Sequence, residues 1–213
     1  MKNGTKIRDV FELVRRFRES DQDTPIILMG YMNPLESLGY ETWAARMAEA
    51  GADGLIVVDV PPEEAGGVSD ALDAHDLALI RLATPTSDAT RLQTLVKRTR
   101  GFIYYVSVAG VTGVKSVEAG SIAGAVAEVR AASGLPVAVG FGIKTPEQAA
   151  DVARIADAAV VGSALVDEIR LALSSREAVE QTKILPDHDT ARAKVLEKAA
   201  VLAQAVHTAR EHP

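Results

Sequence analysis

The stretch Leu135-Pro136-Val137-Ala138-Val139-Gly140-Phe141-Gly142 decides the fold class. Its apolar residues run without alternation, as they do in a strand covered on both faces, and glycines follow at once. Leu55-Ile56-Val57-Val58 has the same character. Strands are expected at Pro25 to Met29, Gly54 to Val58, Leu77 to Leu82, Phe102 to Val106, Leu135 to Val139 and Ala158 to Val161. Their starts are spaced by about 27 residues, the size of a compact βα unit.

Helices are expected between them. One runs from Ile7 to Arg18, and one from Glu41 to Glu49 stops at Gly51, a residue suited to a left-handed cap. Another runs to Val96 behind Ser87-Asp88, and Thr145-Pro146-Glu147 opens a helix that reaches Val152. The last, from about Thr190 to Arg210, carries Val195, Ala199, Leu202 and Val206 as one apolar stripe.

Repeated βα units build either an open doubly wound sheet or a closed barrel. Glycine loops late in the chain favour the barrel, because phosphate sites of barrels use the loops after the last strands. Here these are Gly140-Phe141-Gly142 and Gly162-Ser163, the latter opening a helix whose free N–H groups favour an anion. Gly110-Val111-Thr112-Gly113 is a third such loop. Thr145 occupies the place of the third glycine of a dinucleotide fingerprint, which excludes that reading. Six strands do not close a barrel. The reading is therefore an α/β chain of the TIM (β/α)₈ barrel class with its first two strands missing, residues 1–213 forming one incomplete barrel domain with two open edges.

Composition narrows the function. The 213 residues carry 23 Lys and Arg against 29 Asp and Glu, a net charge of −6, which speaks against a nucleic-acid binder. Zero cysteines exclude disulfides and thiolate chemistry. His75, His188, His207 and His212 lack paired ligand spacing, so no metal site is expected. The first residues are too charged for a leader, and no apolar run is long enough to span a membrane. A soluble cytoplasmic chain is the expectation.

Several motifs, in order, resemble the tryptophan synthase alpha chain family. They are Thr24-Pro25-Ile26-Ile27-Leu28-Met29-Gly30-Tyr31-Met32-Asn33-Pro34, Val58-Asp59-Val60-Pro61-Pro62-Glu63-Glu64, Tyr104-Tyr105-Val106-Ser107 with Gly110-Val111-Thr112-Gly113, Val139-Gly140-Phe141-Gly142-Ile143 and Val161-Gly162-Ser163-Ala164. The resemblance implies retro-aldol cleavage of indole-3-glycerol phosphate to indole and glyceraldehyde 3-phosphate. It also implies work in an alpha2-beta2 complex whose beta chain carries pyridoxal phosphate, with no cofactor in this chain.

Residue by residue, the resemblance places the phosphate on backbone groups around Gly113, Gly142, Gly162 and Ser163. Phe141, Ile56 and Tyr31 would line the indole pocket, Tyr104 would stand beside the catalytic carboxylate, and Thr112 would ride a closing loop. Core packing at a strand end remains open for Tyr31 and Tyr104, and an ordinary turn for Thr112. Asp59 would lie near the active site and the beta contact without serving as general acid; a helix N-cap for the stretch from Glu63 is the alternative. Asn33, Pro34 and Pro61 would face the beta chain, although a turn explains Asn-Pro equally. The family's catalytic glutamate and aspartate match no position here and are expected upstream. A non-catalytic phosphate-binding module that docks on a beta-type partner is the alternative function.

Overall fold

The computed structural model describes residues 4, 6–85, 87, 89–107, 116–140, 142–174 and 188–211. The chain divides into two compact units, Met1–Ala83 with Ser87–Ile103, and Thr84–Thr86 with Tyr104–Pro213.

In the first unit α1 (Ile7–Arg18) precedes β1 (Ile27–Gly30), α2 (Met32–Leu38), α3 (Tyr40–Ala50) and β2 (Gly54–Val57). A 3₁₀ turn (Pro62–Glu64), α4 (Gly66–Ala74), β3 (Ala78–Ala83) and α5 (Ala89–Val96) follow. The strands pair in parallel, Met29 opposite Ile56 and Ile56 opposite Ile80. Successive side chains on a strand point to opposite faces, so the sheet has two distinct sides. Leu55, Val57 and Leu79 join Phe11, Leu35, Trp43, Met47 and Leu72 in a core between sheet and helices. Phe11 and Trp43 meet edge to face, their ring centroids 5.4 Å apart. The other side carries the row Met29, Ile56 and Ile80.

One half-buried cation fastens this core. The Arg18 guanidinium donates to the carbonyls of Gly51 at 2.8 Å, Thr24 at 2.8 Å and Asp21 at 3.1 Å, and to the Asp53 carboxylate at 2.6 Å. Asp53 also accepts the Ile26 N–H at 2.6 Å, so α1, the end of α3 and the starts of β1 and β2 share one knot. Gly51 ends α3 with φ +92°, the left-handed conformation expected of it.

The second unit contains β4 (Ile103–Val106, from Tyr104 onward), α6 (Ser116–Ser133), β5 (Val137–Gly140), α7 (Pro146–Ile155), β6 (Ala158–Val160), α8 (Ser163–Ser174) and α9 (His188–Glu211). β5 and β6 are parallel, Gly140 opposite Val160. Thr145 caps α7 as expected, its hydroxyl accepting the Gln148 N–H while Gln148 returns a bond to the Thr145 N–H. Leu202 is buried where α9 packs on α7 and α8, and Val195, Ala199 and Val206 flank it half-buried. Asp157 ties the second unit together: its carboxylate accepts the Val137 N–H at 2.8 Å and the Arg130 guanidinium at 2.9 Å.

Each expected strand is present to within two residues at either end, and each of the six is followed by a helix. Two local readings are corrected. Asn33-Pro34 is no turn but the first turn of α2, where proline is tolerated because the N–H it lacks has no helical partner anyway. α7 runs three residues past Val152.

Candidate functional site

In the first unit the expected residues gather at the carboxyl ends of β1 and β2. The Val58 N–H donates to the Gly30 carbonyl at 3.0 Å, extending the ladder to the strand tips. Just beyond it, Asp59 Oδ1 accepts the N–H of Met32 at 2.7 Å. Met32 opens α2, so Asp59 caps that helix across 27 residues of sequence. It caps α2 rather than the stretch from Glu63, which corrects that alternative. Its carboxylate suits the place, because helix N-termini favour negative charge.

Tyr31 stands at the N-cap of α2 and is 64 % exposed. Core packing is thereby excluded for Tyr31. With Met29, Gly30, Pro34 and Leu55 it borders an apolar cavity of about 280 Å³. Ile56, by contrast, is buried on the side of the sheet that carries Met29 and Ile80. Asn33 is exposed and Pro34 half-buried in the first turn of α2, and Pro61 precedes the 3₁₀ turn.

In the second unit Tyr104 on β4 lies over Gly140 at the end of β5. A Cβ on Gly140 would stand 2.7 Å from the phenol oxygen and 2.8 Å from Val160 Cβ, so only glycine fits. Burial raises the Tyr104 phenol above its ordinary pKa, keeping it a neutral donor. Ser107, the residue after β4, ties β4 to β5, its N–H and hydroxyl both donating to the Gly140 carbonyl, at 3.1 and 3.3 Å.

Gly142 follows with φ +77° and open space where a Cβ would be. Gly162 likewise has nothing near its Cβ position, and its carbonyl accepts the N–H groups of Leu165 and Val166 at the start of α8. Ser163 is the first helical residue. First-turn N–H groups lack helical acceptors, so the start of α8 behind Gly162 is chemically suited to an anion. Thr112, Gly113 and Phe141 lie outside the described residues.

Two features escaped sequence reasoning. Met29 extends the apolar row of Ile56, a signal available from strand alternation. Arg81 interrupts the apolar run of β3 and is 6 % exposed, where an arginine inside a buried strand was itself the signal. Among the described residues, no group of three or more His, Cys, Asp or Glu is placed to hold a metal, and no helix is long and apolar enough to cross a membrane.

Parallel strands each followed by a helix, with glycines at the ends of the later strands, define an α/β protein of the (β/α)-barrel class. Residues 1–195 match the family described as tryptophan synthase alpha chain. The tryptophan synthase alpha chain of Caulobacter vibrioides strain NA1000 is 60% identical over 210 residues, covering 99% of this chain and 72% of that one. That of Phenylobacterium zucineum is 56% identical over 207 residues, covering 97% and 70%. The crystal structure of the Legionella pneumophila tryptophan synthase alpha chain superposes with TM-score 0.81 at 40% identity, covering 97% of this chain and 71% of that one. A Pyrococcus furiosus structure, titled for mutual activation of the tryptophan synthase a2b2 complex, gives TM-score 0.80 at 29% identity over 95% of this chain. The chain belongs to the tryptophan synthase alpha chain family, whose members serve as lyase subunits in tryptophan biosynthesis.

Proposed function

We propose that this chain binds indole-3-glycerol phosphate for retro-aldol cleavage to indole and glyceraldehyde 3-phosphate. The observation that carries the proposal is the placing of Gly142, Gly162 and Ser163 just past β5 and β6, with Tyr104 fixed over Gly140 in the same unit. Backbone N–H groups there hold the substrate phosphate, with Gly113 contributing from its loop. In the first unit Ile56 offers the indole an apolar surface, since the row Met29, Ile56 and Ile80 suits a flat apolar ring.

The reaction breaks one C–C bond. A proton adds at the indole ring carbon, the neighbouring hydroxyl of the glycerol chain loses its proton to become the aldehyde, and the bonding pair returns to the ring. Two carboxylates would move these protons and hold the indole N–H. We assign them to the part of the family's barrel upstream of the stretch that aligns here. Losing one general acid or base costs about 10² to 10⁴ in rate.

Asn33, Pro34 and Pro61 face a tryptophan synthase beta chain in an alpha2-beta2 assembly, and pyridoxal phosphate resides on that partner. Similarity to the Pyrococcus furiosus complex supports this assembly. Asp59 serves the same edge by holding the start of α2. The test is indole release from indole-3-glycerol phosphate, with and without beta chain. Release at least about 10²-fold slower than by a relative of full family length is expected. Release at the rate of such a relative would overturn the assignment of the carboxylates.

A further inference from the structure

Three contacts stitch the strand ends of the first unit in sequence. The Gly30 carbonyl accepts from Val58, the Asp59 carboxylate accepts from Met32, and the Val60 carbonyl faces the Arg81 guanidinium at 3.4 Å. Arg81 shares the face of Leu79, on the helix side of β3. It is almost wholly buried, and its Nε has no partner. Glu63 on the 3₁₀ turn raises its proton affinity and Arg98 lowers it, but burial dominates and lowers its pKa.

An unpaired cation in such a place opposes folding. Buried ion pairs are commonly replaced by apolar residues of similar volume at no loss of stability, and a cation with so little compensation should be replaced more easily still. Arg81 therefore has another use. At 3.4 Å its contact with Val60 is an ion–dipole attraction more than a short hydrogen bond, and it is the one side-chain contact among the described residues that reaches the backbone next to Asp59 from β3.

We propose that Arg81 is a positioning residue: by holding the Val60 carbonyl it seats Asp59 against the Met32 N–H, and so sets where Tyr31, Asn33 and Pro34 stand. Its value to catalysis rests on the substrate and partner roles proposed for those residues. Its action on Met32 does not.

The test measures hydrogen exchange of the Met32 amide in the 213-residue chain and in R81M, R81K and D59A, together with calorimetric binding of indole-3-glycerol phosphate. In R81M the Met32 amide should exchange about tenfold faster or more while amides of α3 and β2 keep their rates, and ligand binding should weaken several-fold. R81K, which keeps a donor and a charge, should restore most of the protection. In D59A the Met32 amide is already released, so adding R81M should change it little. Unchanged Met32 exchange in R81M, or acceleration spread equally over α3 and β2, would overturn the proposal. If the parent chain shows no ligand binding, the functional reading fails, while the Met32 exchange still decides the role of Arg81.

Discussion

The phenol of Tyr104 occupies the space that any side chain on Gly140 would need, with its oxygen 2.7 Å from the position of a Cβ there. A glycine at the end of β5 and a tyrosine on β4 are thus one feature. The G140A variant should push Tyr104 aside, destabilise the chain by about 1 to 3 kcal/mol and weaken binding of indole-3-glycerol phosphate. Urea unfolding and calorimetry check both effects. In a Tyr104→Ala background the stability cost should shrink without vanishing, because Val160 Cβ crowds the same point at 2.8 Å.

Arg18 should matter far more than the exposed ion pairs. Its side chain is 12% exposed and holds three carbonyls and Asp53, whereas Arg154 and Asp151 form an exposed pair within one helix. R18M should cost about 2 to 4 kcal/mol, R154M less than about 0.5 kcal/mol. The R18M loss should shrink only in part at high ionic strength, since the Asp53 pair is exposed and screened while the bonds to the Gly51 and Asp21 carbonyls are part-buried. Urea midpoints at low and high salt measure both.

Asp157 makes stability depend on acid. Partial burial raises its pKa, but the Val137 N–H and the Arg130 and Arg210 cations outweigh that and hold it below the ordinary 3.8. A carboxylate depressed in the folded chain contributes its full stability above the unfolded value and loses it as pH falls through the folded one. The stability difference between the parent chain and D157N should therefore be constant near neutrality and close below about pH 3.8. Unfolding free energies across that range follow it.

T145A removes the cap of α7 and should cost about 1 kcal/mol, while T145S should cost much less because the hydroxyl acceptor remains. Thermal unfolding of the two variants tests the difference.

The six strands were legible because each is a short apolar run ending in a polar or glycine-rich break. Caps written in neighbouring residues, such as Thr145 with Gln148 or Gly51 behind α3, could be read directly. Asp59 could not, because the helix it caps begins 27 residues earlier and only the folded sheet brings the two together. Asn33-Pro34 misled for a local reason, since the same dipeptide suits a turn and the first turn of a helix. Gly142 and Gly162 were legible as a recurrence, each a glycine two residues past the end of a strand. The hold of Arg81 on the Val60 carbonyl belongs to tertiary packing alone.

Titration of indole-3-glycerol phosphate into the chain and its G162D variant tests the central claim most directly. Gly162 has open space at its Cβ position, so an aspartate fits there and places a negative charge where the phosphate should bind. Saturable binding at one site is expected in the parent chain and its loss in G162D, with unfolding free energy little changed. Binding of equal strength in the two would place the phosphate elsewhere and contradict the account.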